Sequence, residues 1–250
     1  MASPGPPRII VNSVRAILGE DYSILAFERL PSRRNEVYKI IGTDPSHTSP
    51  HQIVAKLYQQ PGIAHETSIL QKAHQHNLHV PTIIGTTAAV LILEYIDAPN
   101  LCDLITLHPD RILGHMLASW LAQYHDVFNQ GNDQVLLKGD ARIRNFLVQK
   151  DYIIGVDFEE SRMGVFIDDL AMACASILDT TPIFTTTKIE LCSTIINQYG
   201  KLRQIPNLQR LKETTQIQMV QVLQDTAKRR GSPPQLITSI SQFQETGLPS

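Results

Sequence analysis

Three oxygen-bearing side chains stand close together in the middle of the chain. Asp140 and Asn145 lie in the run KGDARIRN (residues 138–145), and Asp157 follows in IIGVDFEE (residues 153–160). Asn145 and Asp157 are hard oxygen ligands suited to Mg²⁺ held against a nucleotide. Asp140 remains to accept the proton of an attacking hydroxyl. Phosphoryl transfer asks for this set, because it needs positioned charge rather than covalent participation by the protein. A DxxxxN or a VDF is common by chance when it stands alone, so the weight rests on the order in which other charged residues accompany them.

The surrounding elements determine whether these residues meet. Residues 24–30, 36–41 and 52–58 are short apolar or alternating runs separated by polar loops, the pattern of three successive antiparallel strands. Ile63, Glu66, Ile69, Leu70 and Ala73 then recur at helical spacing before Asn77 and Pro81. Two more strands are expected at 82–85 and 90–96. From residue 103 the pattern is mainly helical, clearest over 109–128, where Leu113, Met116, Leu117, Trp120, Leu121, Tyr124 and Phe128 line one face of a core helix. Residues 146–148 and 152–156 read as a small hairpin after the Asp140 loop, and helices resume at 168–178, 188–202 and 208–228. The stretch 231–250 is rich in Ser, Gln and Pro without a firm period, and is read as a candidate flexible tail. The expected fold class is α+β, with a small strand-rich lobe at about 8–97 and a larger helical lobe at 98–230, all within one domain.

KGDARIRNFLV, then IIGVDFEE, then DDLA (residues 168–171) resemble, in order and spacing, the catalytic, metal-binding and supporting motifs of the aminoglycoside phosphotransferase and choline kinase group in the protein-kinase-like superfamily. The resemblance covers roughly residues 24–180. It implies a two-lobed protein-kinase-like fold, with Asp140 as catalytic base, Asn145 and Asp157 as metal ligands and Asp169 as a brace of the catalytic loop. Lys56 in IVAKLY matches the strand lysine of VAIK-type segments, and Glu66, ten residues on, is its expected ion-pair partner. LILEYID (residues 91–97) resembles a hinge strand, with Glu94, Tyr95 and Ile96 offered to an adenine edge.

The chain leaves the family's pattern at three places. PSRRNEVYKI has no glycine where protein kinases carry a glycine-rich loop, which makes Arg33 and Arg34 candidate phosphate contacts. Lys138 replaces the usual histidine of HGDxxxxN. Arg142 stands two residues after the aspartate, where a lysine commonly steadies the transferred phosphoryl group, and a guanidinium can do so through a bidentate contact. Arg144 is read as a surface charge flanking the loop.

Bulk properties narrow the partners. Hydrophobic residues make up 42% and charged residues 18%, an ordinary globular composition, and the formal net charge of -2 gives no global reason to bind nucleic acid or an anionic membrane. The three cysteines are widely spaced and form no metal pattern, and MASPGPPRII lacks the basic start and apolar core of an export signal. The expectation is a cytoplasmic enzyme that uses ATP and Mg²⁺ to phosphorylate a hydroxyl of a small molecule not yet named. The alternatives are an atypical protein kinase of RIO-like type and a nucleotide-binding pseudokinase acting as an interaction module.

Overall fold

A computed structural model describes residues 5–32, 34–44, 49–131 and 134–249, and the chain divides into two compact units. The first comprises residues 1–75 and 80–97. Its centre is a five-stranded antiparallel sheet made of β1 (Ser23–Leu30), β2 (Glu36–Thr43), β3 (His51–Leu57), β4 (Ile83–Thr86) and β5 (Val90–Glu94), in the order β1-β2-β3-β5-β4. The register sets Lys56 of β3 opposite Val37 on one side and Leu91 on the other, so its backbone is fixed in the middle of the sheet. Helix α2 (Ile63–Gln75) follows β3 and buries Glu66, Ile69, Leu70 and Ala73, the spacing seen in the sequence.

Helix α1 (Arg8–Leu18) was not expected. Its apolar residues Ile10, Val14 and Ile17 follow helical spacing, and Ile10 and Val14 are fully buried in one cluster with Tyr38, Ile40, Ile53, Ala55 and Ile92. Burial of each of these two side chains contributes about 1.5–3 kcal/mol, enough to hold an 11-residue helix that would be marginal in water.

The second unit comprises residues 76–79 and 98–250. It holds α3 (Leu101–Leu107), α4 (Arg111–Val127), α5 (Ile167–Leu178), α6 (Thr186–Leu202), α7 (Leu208–Arg229) and α8 (Pro234–Thr246), with α4 packed on α6 and α5 on α7. Asp110 caps α4 by accepting the Ile112 N–H at 2.8 Å. Along α4, Trp120 stacks on Tyr124, and the pair meets Phe146, Phe158 and Phe128 in an aromatic core. Four short strands pair two by two: β6 (Gln134–Leu137) with β9 (Arg162–Val165), and β7 (Phe146–Gln149) with β8 (Tyr152–Gly155). The second pair is the hairpin expected after the Asp140 loop.

The candidate flexible tail is corrected. Residues 234–246 form α8, which packs on α7 and buries Leu236, Ile240 and Phe243. Those three fall at i, i+4 and i+7, a stripe hidden in the sequence by the Ser and Gln residues between them. All three cysteines are free thiols, with Cys174 and Cys192 buried. Among the described residues no helix is long and apolar enough to cross a membrane.

Candidate active site

The candidate residues fall into two groups, one in each unit. In the first, Lys56 Nζ and a Glu66 carboxylate oxygen lie 2.9 Å apart with both side chains buried. Strand β3 presents the lysine and the first turn of α2 presents the glutamate. The Tyr58 hydroxyl donates to the same carboxylate oxygen, which fixes the glutamate rotamer. At the end of β5 the Glu94 side chain accepts from the backbone N–H and the hydroxyl of Thr82, at 2.8 and 2.9 Å. The Glu94 N–H bonds to Thr82 O and the Tyr95 N–H to Gln52 O, so Glu94 and Tyr95 have already spent their backbone donors, whereas the Lys39 ammonium sits 3.9 Å from the centre of the Tyr95 ring. Arg34 is exposed, and Arg33 lies outside the described residues.

In the second unit, the loop after β6 is anchored from below by Asp169 near the start of α5. One Asp169 oxygen accepts the Lys138 N–H at 2.6 Å and the other the Gly139 N–H at 3.0 Å. His125 of α4 bridges the first oxygen at 3.1 Å and the Tyr199 hydroxyl of α6 at 2.8 Å, all within the core. Burial pushes the Tyr199 and Tyr124 hydroxyls well above the usual tyrosine range, so both remain neutral. Gly139 has φ 84°, and a Cβ there would lie 2.0 Å from the Glu160 carbonyl oxygen. Both facts require glycine. Gly139→Ala is expected to cost at least about 2 kcal/mol, read as a lowered melting temperature.

Lys138 answers the question its departure from the family pattern raised. Its side chain is fully buried, and Nζ donates to the Asp140 carbonyl at 3.1 Å and to the Asp157 carbonyl at 3.0 Å. The rings of Phe146 and Phe158 flank the ammonium at 5.4 and 5.1 Å. One amine therefore ties the Asp140 loop to the Asp157 segment. The Val156 N–H adds a second tie by donating to Asn145 O at 3.0 Å. Asp157 itself is a non-glycine residue at φ 63°, a conformation that costs about 1 kcal/mol or more and is held here by those ties.

The Asp140 carboxylate is the focus of the loop. Its Oδ1 takes Arg142 Nη1 at 2.6 Å and its Oδ2 takes Arg144 Nη2 at 3.1 Å. Burial pushes the carboxyl up, but Arg142, Lys138 and Arg144, with an Asn145 hydrogen bond, more than offset this and hold it below the ordinary aspartate value. It is an ionised carboxylate near neutral pH. Asn145 Nδ2 donates to Asp140 O at 3.0 Å, which orients the amide and leaves Oδ1 as the atom available to a cation.

Arg144 is exposed beside the loop, as expected, and its guanidinium also pairs with the carboxylate of Asp140. The signal was the four-residue spacing between them. Sequence reasoning also passed over His125 and Tyr199, whose roles exist only through the packing of α4, α5 and α6. Among the described residues no group of three or more His, Cys, Asp or Glu side chains forms a metal cage. The expected ligands Asn145 and Asp157 would offer one amide oxygen and one carboxylate. That suits a cation which completes its shell with phosphate oxygens and water, as Mg²⁺ does.

No protein-family model and no curated protein matches the sequence. Solved structures do match. Choline kinase from Cryptosporidium parvum Iowa II aligns with a TM-score of 0.65 at 11% identity, covering 92% of each chain. The gentamicin complex of APH(2″)-IIa aligns at 0.61 and 13% identity, over 99% of this chain and 98% of that one. Amicoumacin kinase hAmiN, solved with AMP-PNP and Ca²⁺, aligns at 0.58 and 14% identity, over 90% and 87%. The chain has the protein-kinase-like fold. At such identities the likeness is one of fold, and it agrees with the group whose motifs the sequence resembles. Within this kinase-like fold, function has to be argued from the site.

Proposed function

We infer that the chain is an ATP- and Mg²⁺-dependent phosphotransferase acting on a hydroxyl of a small molecule. The observation that carries this reading is the joining of an ionised, shielded Asp140 to the Asp157 segment by the buried Lys138, with Asn145 oriented beside them. The neighbours' names support the class of acceptor, since they include kinases of choline and ethanolamine and a phosphotransferase bound to gentamicin. Residues 8–97 and 98–230 are proposed to work as the two lobes of one domain, in the cytoplasm, where free thiols persist and ATP is at hand.

In this reading Lys56, held by Glu66, places its ammonium against nucleotide phosphates. Ile96 supplies the hinge N–H to the adenine edge, because those of Glu94 and Tyr95 are bonded within the unit, and the carbonyls of this segment accept from the base. Asn145 and Asp157 would hold Mg²⁺, which when bound offsets the charge of the phosphate oxygens. The acceptor oxygen forms a bond to the γ-phosphorus as the bond from that phosphorus to the bridging oxygen breaks. ADP departs, and the hydroxyl proton passes to Asp140. Arg142 exchanges part of its contact with Asp140 for the transferred phosphoryl oxygens.

Three measurements test the reading. AMP-PNP at about 100 times its dissociation constant should stabilise the fold by about 2.7 kcal/mol, and only when Mg²⁺ is present. No thermal shift would reject the nucleotide site altogether. A shift without ADP formation against pooled hydroxyl compounds would favour the pseudokinase reading instead. Lys56→Met is expected to lower kcat/KM by about two orders of magnitude, because it removes a cation aimed at phosphate and takes the ammonium away from the buried Glu66. Wild-type kcat/KM in this variant would show that Lys56 serves only the sheet.

A further inference from the structure

The catalytic loop presents more positive charge to its base than phosphoryl transfer uses. Both Asp140 oxygens are occupied, one by Arg142 and one by Arg144. The Arg142 side chain is 25% exposed and can turn to a phosphoryl group, but that role needs one guanidinium. Arg144 projects further, with 51% of its side chain exposed, from the residue just before Asn145. A hydroxyl that delivers its proton to Asp140 must share one of its oxygens, and protonation then removes the charge that Arg144 pairs with. Arg144 then stands at the loop as an exposed cation able to take an anionic group.

Two acids of this unit have partners of their own. Asp179 at the end of α5, close enough for Arg142 to act on it electrostatically, is paired with Arg230 at 2.7 Å. Asp103 takes the Asn100 amide at 2.6 Å as part of the cap of α3. Lys188 of α6, buried with Nζ on the Thr180 and Pro182 carbonyls and the Thr180 hydroxyl, adds positive charge that is felt at Cys102, as is that of Arg144. A cationic acceptor would bring its charge against these groups, and an anionic one would meet complementary charge.

Resting on the phosphotransferase reading above, the geometry points to an acceptor that carries an anionic group, phosphate or carboxylate, on the same small molecule as the hydroxyl, with Arg144 as the residue that binds that group. Arg144 thereby selects the acceptor, while Asp140 receives the proton.

The test uses the full chain saturated with AMP-PNP and Mg²⁺, whose binding is recorded first by calorimetry. Glycerol 3-phosphate, glycerate, glycerol and choline are then titrated separately into the wild type, Arg144→Ala, Arg144→Glu and Arg144→Lys. The expected result is saturable binding of glycerol 3-phosphate or glycerate to the wild type and none of glycerol or choline. Binding of the anions should weaken at least about tenfold in Arg144→Ala, vanish in Arg144→Glu and recover in Arg144→Lys, whereas a merely structural arginine would leave this preference among probes unmoved. Binding by phosphate alone or carboxylate alone identifies which anion the site takes. No binding of either anion, choline bound as well as the anions, or equal anion binding in Arg144→Glu would each overturn the inference while leaving the nucleotide reading intact. Failure of AMP-PNP to bind would overturn both.

Discussion

Asp140→Asn is expected to lower turnover by about two to four orders of magnitude, the range that a positioned general base supplies, while Mg²⁺-dependent nucleotide binding persists. The reason the two effects separate lies in how the residue is held. The ties that shape the loop, from Lys138 Nζ and Asn145 Nδ2, both end on the Asp140 backbone carbonyl, which the substitution keeps. The side chain contributes its two guanidinium pairs, one of them about half in solvent, and a contact with the Asn145 amide that an asparagine can still make, so the melting temperature should change little. The variant loses the carboxylate that takes the proton and retains the loop, Asn145 and Asp157. Single-turnover kinetics beside a nucleotide titration reads both quantities. Unchanged turnover would remove Asp140 from the mechanism, and lost nucleotide binding would mean that it shapes the site rather than serving as its base.

Asp169→Ala carries the second large effect, and it falls on stability first. Three donors end on this buried carboxylate, the N–H groups of Lys138 and Gly139 and the imidazole of His125. None has water to turn to. Hydrogen bonds to a charged group contribute about 1.5–3 kcal/mol each and are not additive, and stripping one partner from a buried charged cluster costs about 3–5 kcal/mol. A loss of that size in chemical unfolding is the expected result. Turnover should fall with it under conditions where the variant is still folded, because the loop that carries Asp140 hangs from those two N–H groups. Asp169→Asn should be nearly as damaging, since one oxygen becomes an NH₂ facing a backbone donor. A variant with wild-type stability would show that the β6–β9 pairing alone supports the loop.

The parts of the fold set by local periodicity were legible in the sequence. The strands at 23–30, 36–43 and 51–57, helices α2, α4, α5, α6 and α7, and the hairpin after the Asp140 loop fall within a few residues of where the apolar pattern places them, because a helix or strand buried on one face repeats its core contacts at a fixed spacing. Elements without such a repeat were missed. β6 and β9 are four residues each and pair across 24 residues of intervening chain, so nothing local marks them. Helix α8 buries only three side chains among exposed Ser and Gln, and α1 follows a run of prolines and glycine that reads as a loop.

The site divides in the same way. Side-chain chemistry, together with the resemblance of the surrounding motifs, named Asp140, Asn145, Asp157, Lys56 and Glu66 as the residues proposed to move a phosphoryl group, since carboxylate, amide and ammonium are properties of residue type. How that chemistry is held was decided by tertiary structure. A lysine at position 138 reads as a departure until burial brings its amine onto two carbonyls 17 residues apart in the chain, those of Asp140 and Asp157. An arginine at 144 reads as an exposed charge, and the turn of the loop also brings it onto the Asp140 carboxylate. Sequence spacing reports which groups share an element, whereas desolvation and three-dimensional approach determine which partner each charge finds.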